Sequence, residues 1–339
     1  MMKRKFLILL FLMTFVWLFP MKVQAAQSTV NYSVTPQLTE DQVDKSVGYY
    51  DLKMRPNQKK MIKFKINNNS DQTQSYKIEI NRATTDVNGV IVYNVHGVYN
   101  PYAKYNIEDL VTYPKEISVP AKSSKEVSVN IAMPNGNFDG ELLGGILVEE
   151  NNQVSNKAYK GISIKNKYNY VLGLQLQQNT DVIKPNLKLI RAYQKVTNTN
   201  QISVYGEIVN DVARVEKNVN VIAKVTPKNS SKTVLSSTNQ KMSIAPDSRF
   251  DYPIKVNSLT GVNKNKRLKP GQYTMYLNIK ANNGNQWKLH RNFTVTAQQN
   301  KKINRKVPNN GNSIWIIISA IVAMLVIAGS VIYIYRKRR

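Results

Sequence analysis

The sequence contains no cysteine. Disulfides, thiolate metal sites and cysteine nucleophiles are therefore excluded together. A small secreted animal domain would usually carry disulfides, so an exported chain without them fits a bacterial surface, where stability comes from packing. Histidine occurs twice, as His96 and His290, one in each half of the chain. A histidine-based triad or a multi-histidine metal site within one half is thus excluded. No GxSxG elbow, HExxH helix or phosphate-cradling glycine loop is present. Acid is also scarce, with 21 Asp and Glu against 48 Lys and Arg, a net charge of +27. The adjacent carboxylates are Glu40-Asp41, Glu108-Asp109 and Glu149-Glu150. Neighbouring acids on strands or loops are ordinarily solvated. A wall-modifying hydrolase built on such a pair is the rival enzyme reading, and it needs two carboxyl groups about 5–10 Å apart across a cleft. No catalytic residue, cofactor or metal is assigned, and the chain reads as a binding protein.

Long apolar runs are absent except at the two ends. Residues 1–25 read as a signal peptide: Lys3-Arg4-Lys5, then the apolar stretch Phe6–Phe19 interrupted by Thr14, then Pro20. Val23-Gln24-Ala25 places small residues before a cut after Ala25. Residues 314–335 form an uncharged apolar run bounded by Trp315, Tyr333 and Tyr335. As a helix this run is about 33 Å long, enough for a hydrocarbon core of roughly 30 Å, and aromatic rings favour the interface. The basic tail 336–339 follows. Since basic residues flank both sides of this run, orientation rests on the signal peptide. The expected location is the cell membrane, single-pass, with an extracellular N-terminal ectodomain and a cytoplasmic C-terminus. The nearest approach to a sortase motif, Val307-Pro308-Asn309-Asn310-Gly311, lacks the threonine whose carbonyl would be attacked.

Between these ends, period-2 alternation dominates. Met61–Ile66, Glu126–Ile131, Val219–Val225 and Tyr273–Ile279 each alternate apolar and polar residues. Such short runs, broken by Asn, Gly, Pro and Asp, put one face inward and one outward and point to sandwiches. A short helix near Ile107–Val111, started by Asn106, is the one helical signal. Three features recur in the same order in each half. Ile66-Asn67-Asn68 is echoed by Val209-Asn210, Val119-Pro120-Ala121 by Ala245-Pro246-Asp247, and Phe138-Asp139-Gly140 by Lys269-Pro270-Gly271. Their spacing suits one immunoglobulin-like sandwich per half. The expected fold is therefore all-β: two tandem immunoglobulin-like β-sandwich domains, at 28–155 and 160–297, then a polar stalk at 298–313 and one transmembrane helix. The domain boundary is expected near residues 151–161.

Charge divides the same way. Residues 26–157 carry 14 basic and 15 acidic side chains, and residues 158–298 carry 22 and 6. A neutral half and a strongly basic half suggest different partners. An extracellular setting disfavours nucleic acid. Anionic wall polymer, lipid headgroups or an acidic protein fit the second half.

The first half shows Tyr49-Tyr50-Asp51-Leu52-Lys53-Met54-Arg55-Pro56, Ala83-Thr84-Thr85-Asp86-Val87-Asn88-Gly89 and Phe138-Asp139-Gly140-Glu141-Leu142-Leu143-Gly144-Gly145. The second shows Lys167-Tyr168-Asn169-Tyr170-Val171-Leu172-Gly173-Leu174 and Leu268-Lys269-Pro270-Gly271-Gln272-Tyr273. In these motifs and their order the chain resembles the WxL-interacting protein family of Gram-positive bacteria. The resemblance implies a cell-surface adaptor. Its first domain would bind peptidoglycan, and its second a WxL-domain surface protein or a host extracellular matrix protein. Trp287-Lys288-Leu289 spells W-x-L but sits in an alternating strand, outside the paired frame of a WxL domain.

Candidate glycan contacts then lie in two places. Tyr93, Tyr99, Tyr102, Tyr105 and Tyr113 cluster in a connection with little alternation. Tyrosine offers an apolar face for sugar CH groups and a hydroxyl for hydrogen bonds. Tyr99, Tyr102 and Tyr105 either form a glycan-stacking surface or anchor their loop to the sandwich. Phe138, Asp139 and Gly140, followed by Gly144-Gly145, mark either a close backbone approach to a ligand or tight packing at a turn.

Overall fold

The computed structural model describes residues 30–95, 100–151, 168–256, 258, 261–264, 266–307 and 319. Residues 1–25, the apolar run 314–335 apart from Ser319, the tail 336–339, His96 and Tyr99 lie outside the described residues. Among those described, no helix is long and apolar enough to cross a membrane.

The alternating runs become strands as expected. In the first sandwich, β1 (Tyr32–Gln37), β3 (Lys59–Asn68), β9 (Ser123–Ala132) and β7 (Val111–Thr112) form one sheet in the order β1-β3-β9-β7. The second sheet has the order β2-β11-β10-β4-β8. Its strands are β2 (Tyr50–Lys53), β4 (Gln74–Arg82), β8 (Glu116–Val119), β10 (Glu141–Glu150) and β11 (Asn169–Gln177). Ile62, Phe64, Ile66, Val127 and Val129 point from one sheet at Ile78, Ile80, Ile146 and Leu174 of the other, all buried. Lys63 and Lys65, one step out of phase, face outward, because strand side chains alternate.

The second sandwich packs three strands on four. β12 (Leu187–Val196), β13 (Ile202–Asn210) and β16 (Ser248–Val256) oppose β14 (Glu216–Pro227), β15 (Leu235–Ile244), β17 (Gly271–Lys280) and β18 (Gln286–Val295). Val204, Ile208, Tyr252 and Ile254 meet Val221, Ala223, Met275 and Leu277 in a separate core.

Three segments depart from expectation. The boundary zone near 151–161 lies mostly outside the described residues, but the strand beyond it is described. β11 pairs antiparallel with β10, from Glu141↔Gln177 to Glu149↔Asn169, and parallel with β2. Its inward Leu172, Leu174 and Leu176 join the first core. The first sandwich therefore runs to Gln177, and residues assigned to 160–297 complete its sheet. The expected stalk at 298–313 is also corrected over its described part. Ala297–Lys306 is a helix, α1, capped by Thr296, whose hydroxyl accepts from the Gln299 amide. Ile303 inserts into the second core, and Gln299 donates to the Gln194 carbonyl at 2.8 Å. One buried isoleucine in an otherwise polar helix leaves almost no periodic signal. The helix near Ile107 is a single 3-10 turn, Ile107–Leu110. Asn106 precedes it, but its side-chain oxygen accepts from Arg82 instead of capping.

The sandwiches meet at a built joint. The hairpin β5 (Thr84–Thr85) to β6 (Ile91–Val92) leaves the first sandwich and lies on the second. Ser243 donates its amide to the Gly89 carbonyl at 2.7 Å, and Ala245 donates to the Thr85 hydroxyl at 2.9 Å. Gly89 has φ +77°, and a Cβ there would stand 2.5 Å from Met242 Cγ. Beside it, Asn100 donates to the Asp247 carbonyl at 2.6 Å, and the Glu141 amide to the Ala213 carbonyl at 2.8 Å.

Candidate functional site: a tyrosine-lined groove at the joint

On the outer face of the β2-β11-β10-β4-β8 sheet, Gly145 and Gly173 stand directly opposite each other across β10 and β11. Two side chains are thus missing side by side, and two tyrosines fill the space. A Cβ on Gly145 would lie 2.5 Å from Tyr93 Cγ, and one on Gly173 would lie 3.2 Å from Tyr49 Cβ. Backbone therefore serves as the floor under both rings. Asn81 holds Tyr93 in place by donating to its carbonyl at 2.8 Å. Burial pushes the hydroxyls of both tyrosines up, with nearby Asp51 adding to the effect on Tyr49 and Tyr49 adding to that on Tyr93. Both rings therefore stay neutral hydrogen-bonding groups at physiological pH.

These rings line a groove of about 540 Å³ with Ile91, Leu143, Val171 and Gln175. Val215 and Lys217 of the second sandwich form its opposite wall. It continues past Tyr49 into a second space of about 540 Å³, lined by Gln177, Asn179, Arg214, Asn282 and Asn283 among others. Glu141 sits on this second floor, where burial raises its carboxyl pKa although Val215 donates its amide to it at 2.6 Å. Aromatic faces at one end, and amides with the two cations Arg214 and Lys217 and the two acids Glu141 and Asp181 at the other, suit an elongated, hydroxyl-rich ligand.

Of the candidate contacts singled out in sequence that lie among the described residues, Tyr102, Tyr105, Phe138, Asp139 and Gly140, Gly140 alone lines this groove. Tyr105 packs on Phe138, with ring centroids 5.9 Å apart, against the first core. Phe138 is buried. These two act as loop anchors. Tyr102 is half-buried, with its amide donating to the Asn100 side chain. Asp139 is exposed and accepts from Asn179 at 2.9 Å. Gly140 has φ +87° and lines the groove beside Ile183. Gly144 makes room for Ile107. Tyr49 carried no signal as a site residue, because its partner Tyr93 lies 44 positions away and cross-strand glycines become visible only once strands are paired. Among the described residues no group of three His, Cys, Asp or Glu is placed to hold a metal. Of the paired acids, Glu108 is engaged by Arg82 at 3.1 Å and Asp41 by Lys60.

A family model described as "WxL Interacting Protein, peptidoglycan binding domain" matches residues 32–150. A second, "WxL Interacting Protein, host binding domain", matches residues 159–305. The chain belongs to the WxL-interacting protein family. Both matched domains of this WxL-interacting protein are binding domains. No curated protein sequence matches the chain. Among solved structures it is similar to a chaperone–tip adhesin complex of CFA/I fimbriae, with 14% identity, 77% of this chain and 98% of that chain covered, and a TM-score of 0.30. It is also similar to the E. coli chaperone DraB, with 13% identity, 78% and 98% coverage and a TM-score of 0.28. A PapD-like domain of human CEP192 gives 11% identity, 48% and 94% coverage and a TM-score of 0.29. Overlap that loose transfers no role.

Proposed function

We propose that this WxL-interacting protein is a membrane-anchored surface adaptor. Its N-terminal signal exports it, residues 314–335 hold it in the membrane, and the ectodomain stands outside. The first sandwich binds peptidoglycan, and the second binds a WxL-domain protein or a host matrix component. The observation that carries this reading is the pair of binding-domain matches in tandem, over residues 32–150 and 159–305. The groove walled by Tyr49 and Tyr93 is the proposed glycan site. Rings there stack on sugar faces, while Gln175, Gln177 and Lys217 meet hydroxyl and carboxyl groups.

Co-sedimentation of the detergent-solubilised full chain with purified peptidoglycan tests it. Tyr49→Ala is expected to weaken binding about tenfold, the scale of one stacking aromatic. Unchanged binding by both Tyr49→Ala and Lys217→Ala moves the glycan site elsewhere, and no binding by the parent chain removes the reading.

A further inference from the structure

Strand directions give the second sandwich two unlike poles. β13, β15 and β17 run toward the joint, while β12, β14, β16 and β18 run away from it. The far pole therefore gathers the β12–β13 and β14–β15 turns, the described residues between β16 and β17, and α1. Every Asp and Glu of this sandwich lies in the half nearer the joint: Glu207, Asp211, Glu216, Asp247 and Asp251. The far pole has none. It exposes Lys228 and Lys232 on one turn, Lys264, Lys266 and Lys269 before β17, and Val262, which is 68% exposed. Helix α1 adds Lys301, Lys302, Arg305 and Lys306, all exposed, while Ile303 faces the core. Arg267 ties the helix to this pole by donating to the Val307 carbonyl at 2.8 Å.

The chain leaves from this same pole. Six residues, 308–313, separate Val307 from the apolar run that begins at Ile314. Six residues reach at most about 20 Å even when fully extended. A pole of cations with no acid is thus tethered within roughly two Debye lengths of whatever surface receives residues 314–335.

We propose that the far pole of the second sandwich docks on anionic phospholipid headgroups, so that the ectodomain stands on the membrane with α1 as its foot. This rests on the reading that residues 314–335 span the bilayer. Lysines and arginines bind such headgroups by charge, and Val262 offers one apolar side chain to the interface. The groove at the opposite pole then faces away from the lipid.

Because the chain has no cysteine, one fluorophore can be placed cleanly. The full chain is reconstituted into vesicles of phosphatidylcholine, alone or mixed with phosphatidylglycerol, with headgroup-nitroxide lipid as quencher. The label is carried by Ser231→Cys on the β14–β15 turn, or by Ala121→Cys at the outer pole of the first sandwich as control. In anionic vesicles the Ser231→Cys label is expected to fall to about half its intensity, recovering in high salt. It recovers too when Lys301, Lys302, Arg305 and Lys306 are replaced by Gln, and the Ala121→Cys label stays bright throughout. Equal intensity in the two kinds of vesicle overturns the docking. Flotation reads the anchor separately. A chain that floats with vesicles in high salt but shows no lipid-dependent quenching keeps the span and loses the foot. One that floats only with anionic vesicles at low salt keeps the foot and loses the span. A chain that floats with neither loses both.

Discussion

The side-chain amide of Asn210 donates to the Ala245 carbonyl at 2.9 Å and to the Arg214 carbonyl at 2.7 Å, with no solvent exposure. Asn68 makes the equivalent bonds in the first sandwich, to the carbonyls of Pro120 at 3.0 Å and Gln72 at 2.8 Å. In both, the next turn is closed by a serine hydroxyl: Ser123 on Pro120 and Ser248 on Ala245. The residue between has positive φ in each, at Lys122 and at Asp247. The repeated sequence features are thus one device used twice, an asparagine at a strand end that staples a later turn. The true counterpart of Asn210 is Asn68, not its neighbour Asn67, whose side chain donates to Ser33.

Replacing Asn210 by Ala orphans buried carbonyls. The expected loss is about 1–3 kcal/mol of stability for each unsatisfied group. Urea unfolding of the two sandwiches measures it. Asn67→Ala, on the surface-facing neighbour of the other staple, should cost less than Asn68→Ala. Equal losses would mean the staples contribute nothing particular.

Gly89→Ala should loosen the joint for two separable reasons. The positive φ costs an L-residue roughly 1–2 kcal/mol, and the added methyl meets Met242. Met242→Ala in the same chain removes the collision but leaves the backbone cost, so the double variant should recover only part of the loss. Hydrogen exchange at the Ser243 and Ala245 amides, which bond across the joint, reports the opening.

The joint should also respond to pH. Burial, reinforced by the nearby charge of Asp211, pushes the Asp247 carboxyl up to about 7. Burial raises Glu141 and Glu216 in the same direction. A carboxyl whose folded pKa exceeds its unfolded one holds its proton better in the folded state. Its stabilising contribution is complete below about pH 4 and fades as pH climbs to 7. Asp41 and Asp44 are shifted downward, so their opposite effect is confined to still lower pH. Thermal stability is therefore expected to decline from pH 5 to pH 7. Asp247→Asn, which tolerates the φ of +43°, should flatten that slope. An unchanged slope would exclude Asp247 as its source.

Helix α1 depends on one side chain and one cap. Ile303→Ala should cost toward the lower end of about 2–5 kcal/mol, since the helix lies at the rim of the core. Thr296→Ala should cost about 1 kcal/mol through the lost N-cap. Both should speed exchange in Ala297–Lys306 and leave the first sandwich untouched.

The sandwiches were legible in sequence because their cores are written locally. Val127, Val129 and Ile131, or Val219, Val221 and Ala223, declare strand and inward face at once. The destination of β11 was not. Leu172, Leu174 and Leu176 alternate correctly, but alternation does not say which sheet receives a strand, and here the partners are Ile146 and Leu52 rather than anything nearby. Helix α1 leaves little trace in the sequence because it buries a single residue, Ile303. The groove was missed because Tyr49, Tyr93, Gly145 and Gly173 come from four segments whose meeting depends on register.

The placement of β11 has a consequence for how the two matched domains can be handled. A fragment ending at residue 150 would strip β10 of its neighbour and leave a long bare edge, an invitation to strand-to-strand aggregation. A cut that leaves both sandwiches whole has to fall in the nine-residue interval 178–186 between β11 and β12. The edge of the first matched family domain, at residue 150, and the edge of the first folded sandwich, at Gln177, therefore do not coincide in this chain.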